Sequence, residues 1–216
     1  MKQTVLLTGF EPFNGEDINP AWEAVKALAG WSEADFTVEA RQLPCVFGLA
    51  NRVLAAALDE LQPTLVIAVG QAGGRADLSL ERVAINLDDA PILDNASCQL
   101  IDAAIVADGP VGYFSTLPIK AIVRELRAAG LPASVSHSAG TFVCNHVFYG
   151  LMHHAASHGM PVRAGFIHIP YLPLQAAAHP GMASMALADM VAGLRIAVRV
   201  ALAPGLDARE AGGATH

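Results

Sequence analysis

Charge is scarce in this 216-residue chain. Charged residues make up 15% of it, against roughly 25% in an ordinary soluble protein. Hydrophobic residues make up 53%, and so much apolar area offsets the entropy of ordering the chain, which excludes intrinsic disorder. Positive charge is in deficit: 13 Lys and Arg against 20 Asp and Glu leave a net charge of −7. That balance is unsuited to nucleic acid or an anionic membrane, and neither partner is expected. Cysteine is nearly absent. Cys45, Cys98 and Cys144 are odd in number and unrelated in spacing, which points to free thiols in a reducing cytoplasm, not to a disulfide scaffold or a zinc site. Uninterrupted apolar runs are also missing. The mean hydropathy of +0.41 raises the membrane question, but the most apolar stretch, residues 182–202, is broken by Asp189, Arg195 and Arg199. It fails as a lipid-facing span. The first residues run straight into a predicted strand without the long apolar region of a signal peptide. A cytoplasmic α/β protein of one domain, residues 1–204, with a frayed tail over 205–216, is expected.

What is present alternates strand with helix. Residues 4–9, 36–43, 64–70, 80–87, 133–139 and 162–169 read as strands, several of them apolar on both faces. Asn19-Pro20 opens a helix, with Asn19 as cap and Pro20 in the first turn. Further helices are predicted over 46–61, 118–130, 141–158 and 184–202, while 88–115 has no periodicity. This order predicts a three-layer α/β/α fold, with a twisted, largely parallel central sheet and helices on both faces. Ligands in such sheets bind beyond the carboxyl ends of the strands, here the loops after Thr8, Gly70, Ala139 and Ile167.

Cys144 is the most informative position in those loops. It follows a strand that turns through Gly140 into a helix. That places its thiol in the first helical turn, where unpaired N–H groups favour a thiolate nucleophile. A buried structural cysteine is the competing reading, and the residues alone leave the two about even. His168 ends the next apolar strand and is placed to take and return the thiol proton, although strand-end histidines are more often structural. Glu81 is an acid inside an apolar strand. It has the chemistry to orient an imidazole, but pattern alone favours an ion pair with Arg82 or a solvated edge. The glycine-rich Gly70-Gln71-Ala72-Gly73-Gly74 lacks the rest of a dinucleotide fingerprint and any Walker lysine. His154 and His158 share a helix face without a third metal ligand, and His146 points away from Cys144. Phe10 and Phe13 are loop aromatics set where a pocket would open.

Together these segments resemble the type I pyroglutamyl peptidases, also called pyrrolidone carboxyl peptidases. The resemblance is carried by Gly9-Phe10-Glu11-Pro12-Phe13 with Asn19-Pro20, and by Gly70-Gln71-Ala72-Gly73 through Glu81-Arg82-Val83-Ala84 to Asn86. Two further segments match: Ser138-Ala139-Gly140-Thr141-Phe142-Val143-Cys144-Asn145 and Phe166-Ile167-His168-Ile169-Pro170. The resemblance implies a cysteine peptidase that removes N-terminal pyroglutamate from peptides, with Cys144 as nucleophile, His168 as base and acid, and Glu81 orienting the imidazole. It assigns Phe10, Phe13 and Phe142 to aromatic walls around the lactam ring, Gln71 to a backbone contact with it, and Asn19 to the substrate pocket. It also implies a cytosolic homo-oligomer, commonly a tetramer, with no cofactor and no metal. A neutral flat lactam suits an apolar slot with few polar groups.

Two positions depart from that family's pattern. Pro91 stands where an arginine near the reacting carbonyl is usual, and Leu174 where an acid is usual. The Pro91 replacement leaves a second reading open, a pyroglutamyl-peptide binding protein with weakened catalysis. A third, a nucleotide-binding module, rests on residues 70–74 alone.

Overall fold

The computed structural model describes residues 2–213. Strands β1 (Gln3–Phe10), β2 (Phe36–Leu43), β3 (Leu65–Gln71), β4 (Leu78–Glu81), β7 (Ala133–Ser136) and β8 (Arg163–Ile169) form one six-stranded sheet in the order β2-β1-β3-β8-β4-β7. Neighbours run parallel except β4 and β8, so the sheet is largely parallel, as the alternation predicts. Side chains alternate between the two faces of each strand. Val5, Leu7, Ile67, Val69, Leu80 and Ile167 pack on one face against α1 (Pro20–Lys26), α3 (Ile119–Ala128) and α6 (Leu187–Leu202). Leu6, Val66, Ala68 and Phe166 pack on the other against α2 (Leu49–Leu61) and α4 (Val143–Ser157).

Local chemistry explains several boundaries. Asn19 caps α1 by accepting the Ala21 N–H, with Pro20 in the first turn. α2 starts at Leu49, three residues later than the apolar stripe predicts, because Gly48 sits in the left-handed region at φ 68°. The predicted strand over 80–87 is two strands that part at Arg82. β4 joins the main sheet, while β5 (Val83–Ile85) leaves it and forms an antiparallel pair with β6 (Gly112–Phe114). β6 lies inside the stretch read as irregular; three residues paired with a distant strand leave no periodicity to read. A short helix, α5 (Pro173–Ala178), follows β8 and was not anticipated.

The tail read as frayed makes tertiary bonds over its described part. The Asp207 carboxylate accepts the Lys120 and Ala121 N–H groups at the start of α3, and Arg82 donates to the Gly212 carbonyl. Residues 214–216 of that predicted tail lie outside the described residues. Among the described residues, no helix is long and apolar enough to cross a membrane.

Candidate active site

The site forms where β3, β8 and β4 meet under the start of α4. Gly70 on β3 pairs with His168 on β8, and His168 pairs in turn with Ser79 on β4. Residues opposite one another share a face, and Glu81, two residues beyond Ser79, shares it too. All therefore point to the α4 side of the sheet. Since β4 is antiparallel to β8, Glu81 lies deeper than His168 and is 0% exposed. Its Oε1 accepts the Nδ1–H of His168 at 2.7 Å. With Nδ1 carrying that proton, Nε2 is the basic nitrogen. The alternative partner read for Glu81, Arg82, is instead engaged with the tail; the cation on Glu81 is Arg75, whose Nη1 donates to the same Oε1 at 2.7 Å.

Cys144 is the second residue of α4 and half-buried. No side chain caps this helix, so the N–H groups of its first turn face the site without a side-chain acceptor. The turn before it is tied down from both sides. Thr141 exchanges hydrogen bonds with the backbone of Asp89, and Asn145, fully buried, bonds Ile85 and Leu87 through its amide. The sulfur reaches the sheet at Gly70, where an added Cβ would lie 2.9 Å from Sγ. The sulfur thus sits over the strand rung on which Gly70 pairs with His168.

Burial sets the protonation of these groups. It pushes the Cys144 thiol well above its ordinary range, with Cys45 and Glu81 adding to the rise and only Arg75 opposing it. That desolvation works against the thiolate that the helix terminus favours. Burial likewise pushes the His168 imidazole down, against the pull of Glu81. Burial also works to raise Glu81, but the hydrogen bond and charge of His168, then the Ser136 hydroxyl and the Arg75 charge, outweigh it and hold the carboxyl below its usual range. These directions favour a thiol, a neutral imidazole and a carboxylate in the free protein.

The predicted lining residues have different environments. Phe13 and Phe142 pack at 6.1 Å between ring centroids, and Phe47, which sequence reasoning missed, meets Phe142 edge-on at 5.5 Å. Phe10 is buried and packs on Phe166 behind them. Asn19 is buried, with Nδ2 donating to the Glu11 carbonyl and Oδ1 engaged in the α1 cap. Gln71, also buried, accepts a hydrogen bond from Gln175. His146, read as pointing away from Cys144, donates through Nδ1 to Asp88 at 2.8 Å and accepts the Gly48 N–H at Nε2. Its ring packs on Phe47, so it braces the aromatic group from behind. Spacing alone gave no sign of this, since Asp88 and Gly48 are brought together only by the fold. His154 and His158 stack on each other, and no group of three or more metal-ligating side chains occurs among the described residues.

Comparison with known proteins places this arrangement. The family model described as pyroglutamyl peptidase matches residues 3–203. A pyrrolidone-carboxylate peptidase of Cupriavidus taiwanensis is 66% identical over 214 residues, covering 99% of each chain. Among solved structures, pyroglutamyl peptidase I from Bacillus amyloliquefaciens superposes with a TM-score of 0.94 at 46% identity, covering 98% of this chain and 100% of that one. A mutant pyrrolidone carboxyl peptidase from the hyperthermophile Pyrococcus furiosus superposes with a TM-score of 0.90 at 44% identity, covering 92% of this chain and 98% of the other.

Proposed function

This chain belongs to the pyroglutamyl peptidase family, and we propose that it is a cysteine exopeptidase that removes N-terminal pyroglutamate from peptides through a thioester on Cys144. The observation that carries the reading is the alignment of Glu81, His168 and Cys144 about Gly70. The sulfur attacks the carbonyl carbon of the pyroglutamyl residue while its proton passes to Nε2 of His168. Resting neutrality makes this transfer part of the attack, with the imidazole as general base. Negative charge then develops on the carbonyl oxygen, and the uncapped N–H groups at the start of α4 stabilise it. The imidazolium, held by the Glu81 carboxylate, returns its proton to the amine nitrogen as the C–N bond breaks. Water, deprotonated by the same imidazole, cleaves the thioester and releases pyroglutamate.

The lactam has no α-ammonium, so an uncharged slot between Phe13 and Phe142 suits it, with Phe10 and Phe47 behind and Gln71 offering its backbone. Asn19 serves the slot by holding the Glu11 carbonyl and with it the loop that carries Phe13. We extend the reading to a cytoplasmic homotetramer. Free Cys45, Cys98 and Cys144 support the compartment, and Val111 and Phe114, 92% and 73% exposed beside and on β6, support association. Hydrolysis of a chromogenic pyroglutamyl amide tests the activity. Turnover is expected, together with a pyroglutamyl adduct on Cys144 by mass spectrometry and loss of both in Cys144→Ser. Saturable ligand binding without turnover would select the binding-protein reading instead.

A further inference from the structure

We propose that Arg75 is a positioning residue for this reaction: its guanidinium clamps the Glu81 carboxylate to the carbonyl of Ser138, fixing the imidazole and the turn that leads to Cys144 in one unit. The inference rests on the peptidase reading above. The geometry is a two-armed bridge. Nη1 donates to Glu81 Oε1 at 2.7 Å and Nη2 to the Ser138 carbonyl at 3.0 Å. Ser138 lies in the turn between β7 and α4, so one planar group joins the acid on β4 to the approach of the nucleophile's helix.

The glycine-rich stretch that looked like a phosphate cradle has a different use here. β3 ends at Gln71, and the Ala72 N–H donates to the Ile169 carbonyl at the end of β8. The loop then runs so close under the Tyr171 ring that a side chain on Gly73 would collide with it. Gly74 turns through φ 89°, which an L-residue rarely adopts. The next residue is Arg75, delivered to Glu81. The loop presents a cation to a buried carboxylate.

That delivery gives Glu81 a second, charged donor. Its Oε1 accepts from both His168 and Arg75, while Oε2 is buried without a hydrogen bond of good geometry and the hydroxyl of its strand partner Ser136 lies near the carboxylate. A carboxylate with a single bond can rotate about its last torsion and exchange oxygens. Two charge-assisted donors on one oxygen, from different directions, stop that rotation and with it the tilt of the imidazole. Lysine retains the charge but has no planar fork to span Glu81 and Ser138 together. Arg75 is also 31% exposed, whereas Glu81 and His168 are buried.

The clamp also predicts a titration effect. The charged and titratable groups facing His168 are Glu81 on β4, Arg75 from the loop after β3, and the thiol of Cys144 on α4; its strand partner Gly70 brings none. Asp77 accepts from Ser79, the residue opposite His168 on β4. The Arg75 charge lowers both His168 and Cys144. Its removal lets His168 hold a proton to higher pH, moving the acid limb of kcat/KM upward, and makes the thiol harder to ionise.

The test compares Arg75→Ala and Arg75→Lys with the full chain, using a chromogenic pyroglutamyl amide across pH and, separately, the rate of Cys144 alkylation by iodoacetamide. Arg75→Ala is expected to lower kcat by about tenfold or more with KM within about threefold, and to move the acid limb to higher pH. Arg75→Lys is expected to keep the acid limb in place and recover only part of kcat. A kcat within about twofold of wild type and an unmoved acid limb in Arg75→Ala would overturn the proposal, as would a loss confined to KM. If Arg75→Ala does not fold, Arg75→Lys decides: full kcat in that variant overturns the clamp. If the wild type hydrolyses no pyroglutamyl amide, the peptidase reading fails and the alkylation arm stands alone. There, Arg75→Ala or a folded Arg75→Lys is expected to slow Cys144 alkylation by about threefold or more, and an unchanged rate counts against the clamp.

Discussion

Gly70 leaves the space that the sulfur of Cys144 occupies: a Cβ on Gly70 would lie 2.9 Å from Sγ and 2.7 Å from the ring of Phe166. Its conformation is ordinary for a strand, so the requirement for glycine here is close approach and not a special φ. The helix that carries Cys144 can descend onto the sheet beside His168 only because this rung has no side chain.

Gly70→Ala is therefore expected to cost more activity than stability. The added methyl must displace Sγ or the Phe166 ring, an overpacking cost of about 1–3 kcal/mol. A sulfur moved by about 1 Å from its line of attack can lose roughly a hundredfold in rate. Steady-state kinetics beside thermal unfolding checks this; near-normal kcat in the folded variant would show that the thiol has another resting place.

The pH dependence follows from the neutral resting pair. His168 must be unprotonated to accept the thiol proton, and burial holds its pKa below the ordinary histidine value. The acid limb of kcat/KM is thus expected below the usual histidine range, with Glu81 still ionised through it because its own pKa is depressed. Both depressed groups also make the folded state bind fewer protons than the unfolded one. Stability is then lost as pH falls through the ordinary histidine and glutamate values. A pH–rate profile whose acid limb lies above the free-histidine range would contradict the assignment.

Thiol reactivity separates the three cysteines. Cys144 is expected to be alkylated through base assistance from His168, so His168→Ala should slow its modification by about tenfold or more while leaving exposed Cys98 unchanged. Cys45 is buried, with its pKa pushed up to about 12, and should stay unmodified in the folded protein. Peptide mapping after timed iodoacetamide treatment reads all three sites. Loss of activity with Cys144 still unmodified would remove it as nucleophile.

Pro91 is exposed and two residues beyond Asp89, whose backbone is bonded to Thr141 in the turn before α4. Proline offers neither a cation nor an N–H there. Pro91→Arg is expected to raise kcat severalfold, within the roughly 3 kcal/mol that a donor to the developing oxyanion can supply, with KM nearly unchanged. Unchanged turnover in a folded variant would place position 91 outside the reaction.

The buried His146–Asp88 pair should matter to both stability and substrate binding. His146→Ala leaves Asp88 buried without its imidazole and removes the ring behind Phe47. A loss of about 3 kcal/mol in unfolding free energy is expected, with KM rising more than kcat falls because the aromatic wall, not the nucleophile, loosens. Denaturant unfolding and kinetics on the same sample check both halves.

The order of elements, the sheet's largely parallel character and the position of Cys144 in a first helical turn were all present in local patterns. Apolar runs closed by Gly9, Gly70 and Pro170, and the Asn19-Pro20 cap, are signals confined to a few neighbouring residues, and local chemistry is enough to decide them. The resemblance of four segments to one family supplied the grouping of Glu81, His168 and Cys144 that the pattern itself did not favour. Tertiary structure alone decided the rest. It reversed β4 against β8 and so buried Glu81 beneath His168, and it gave Glu81 Arg75 in place of the adjacent Arg82. It took β5 out of the main sheet, joined His146 to Asp88, and put Phe47 against Phe142. It also set desolvation of the Cys144 thiol against the helix terminus that favours its ionisation. Most of these are long-range pairings and desolvation effects, set by which surfaces meet when the layers close; Arg75 and Glu81 are only six residues apart, but the turn through Gly73 and Gly74 that folds one onto the other is fixed by its packing against Tyr171.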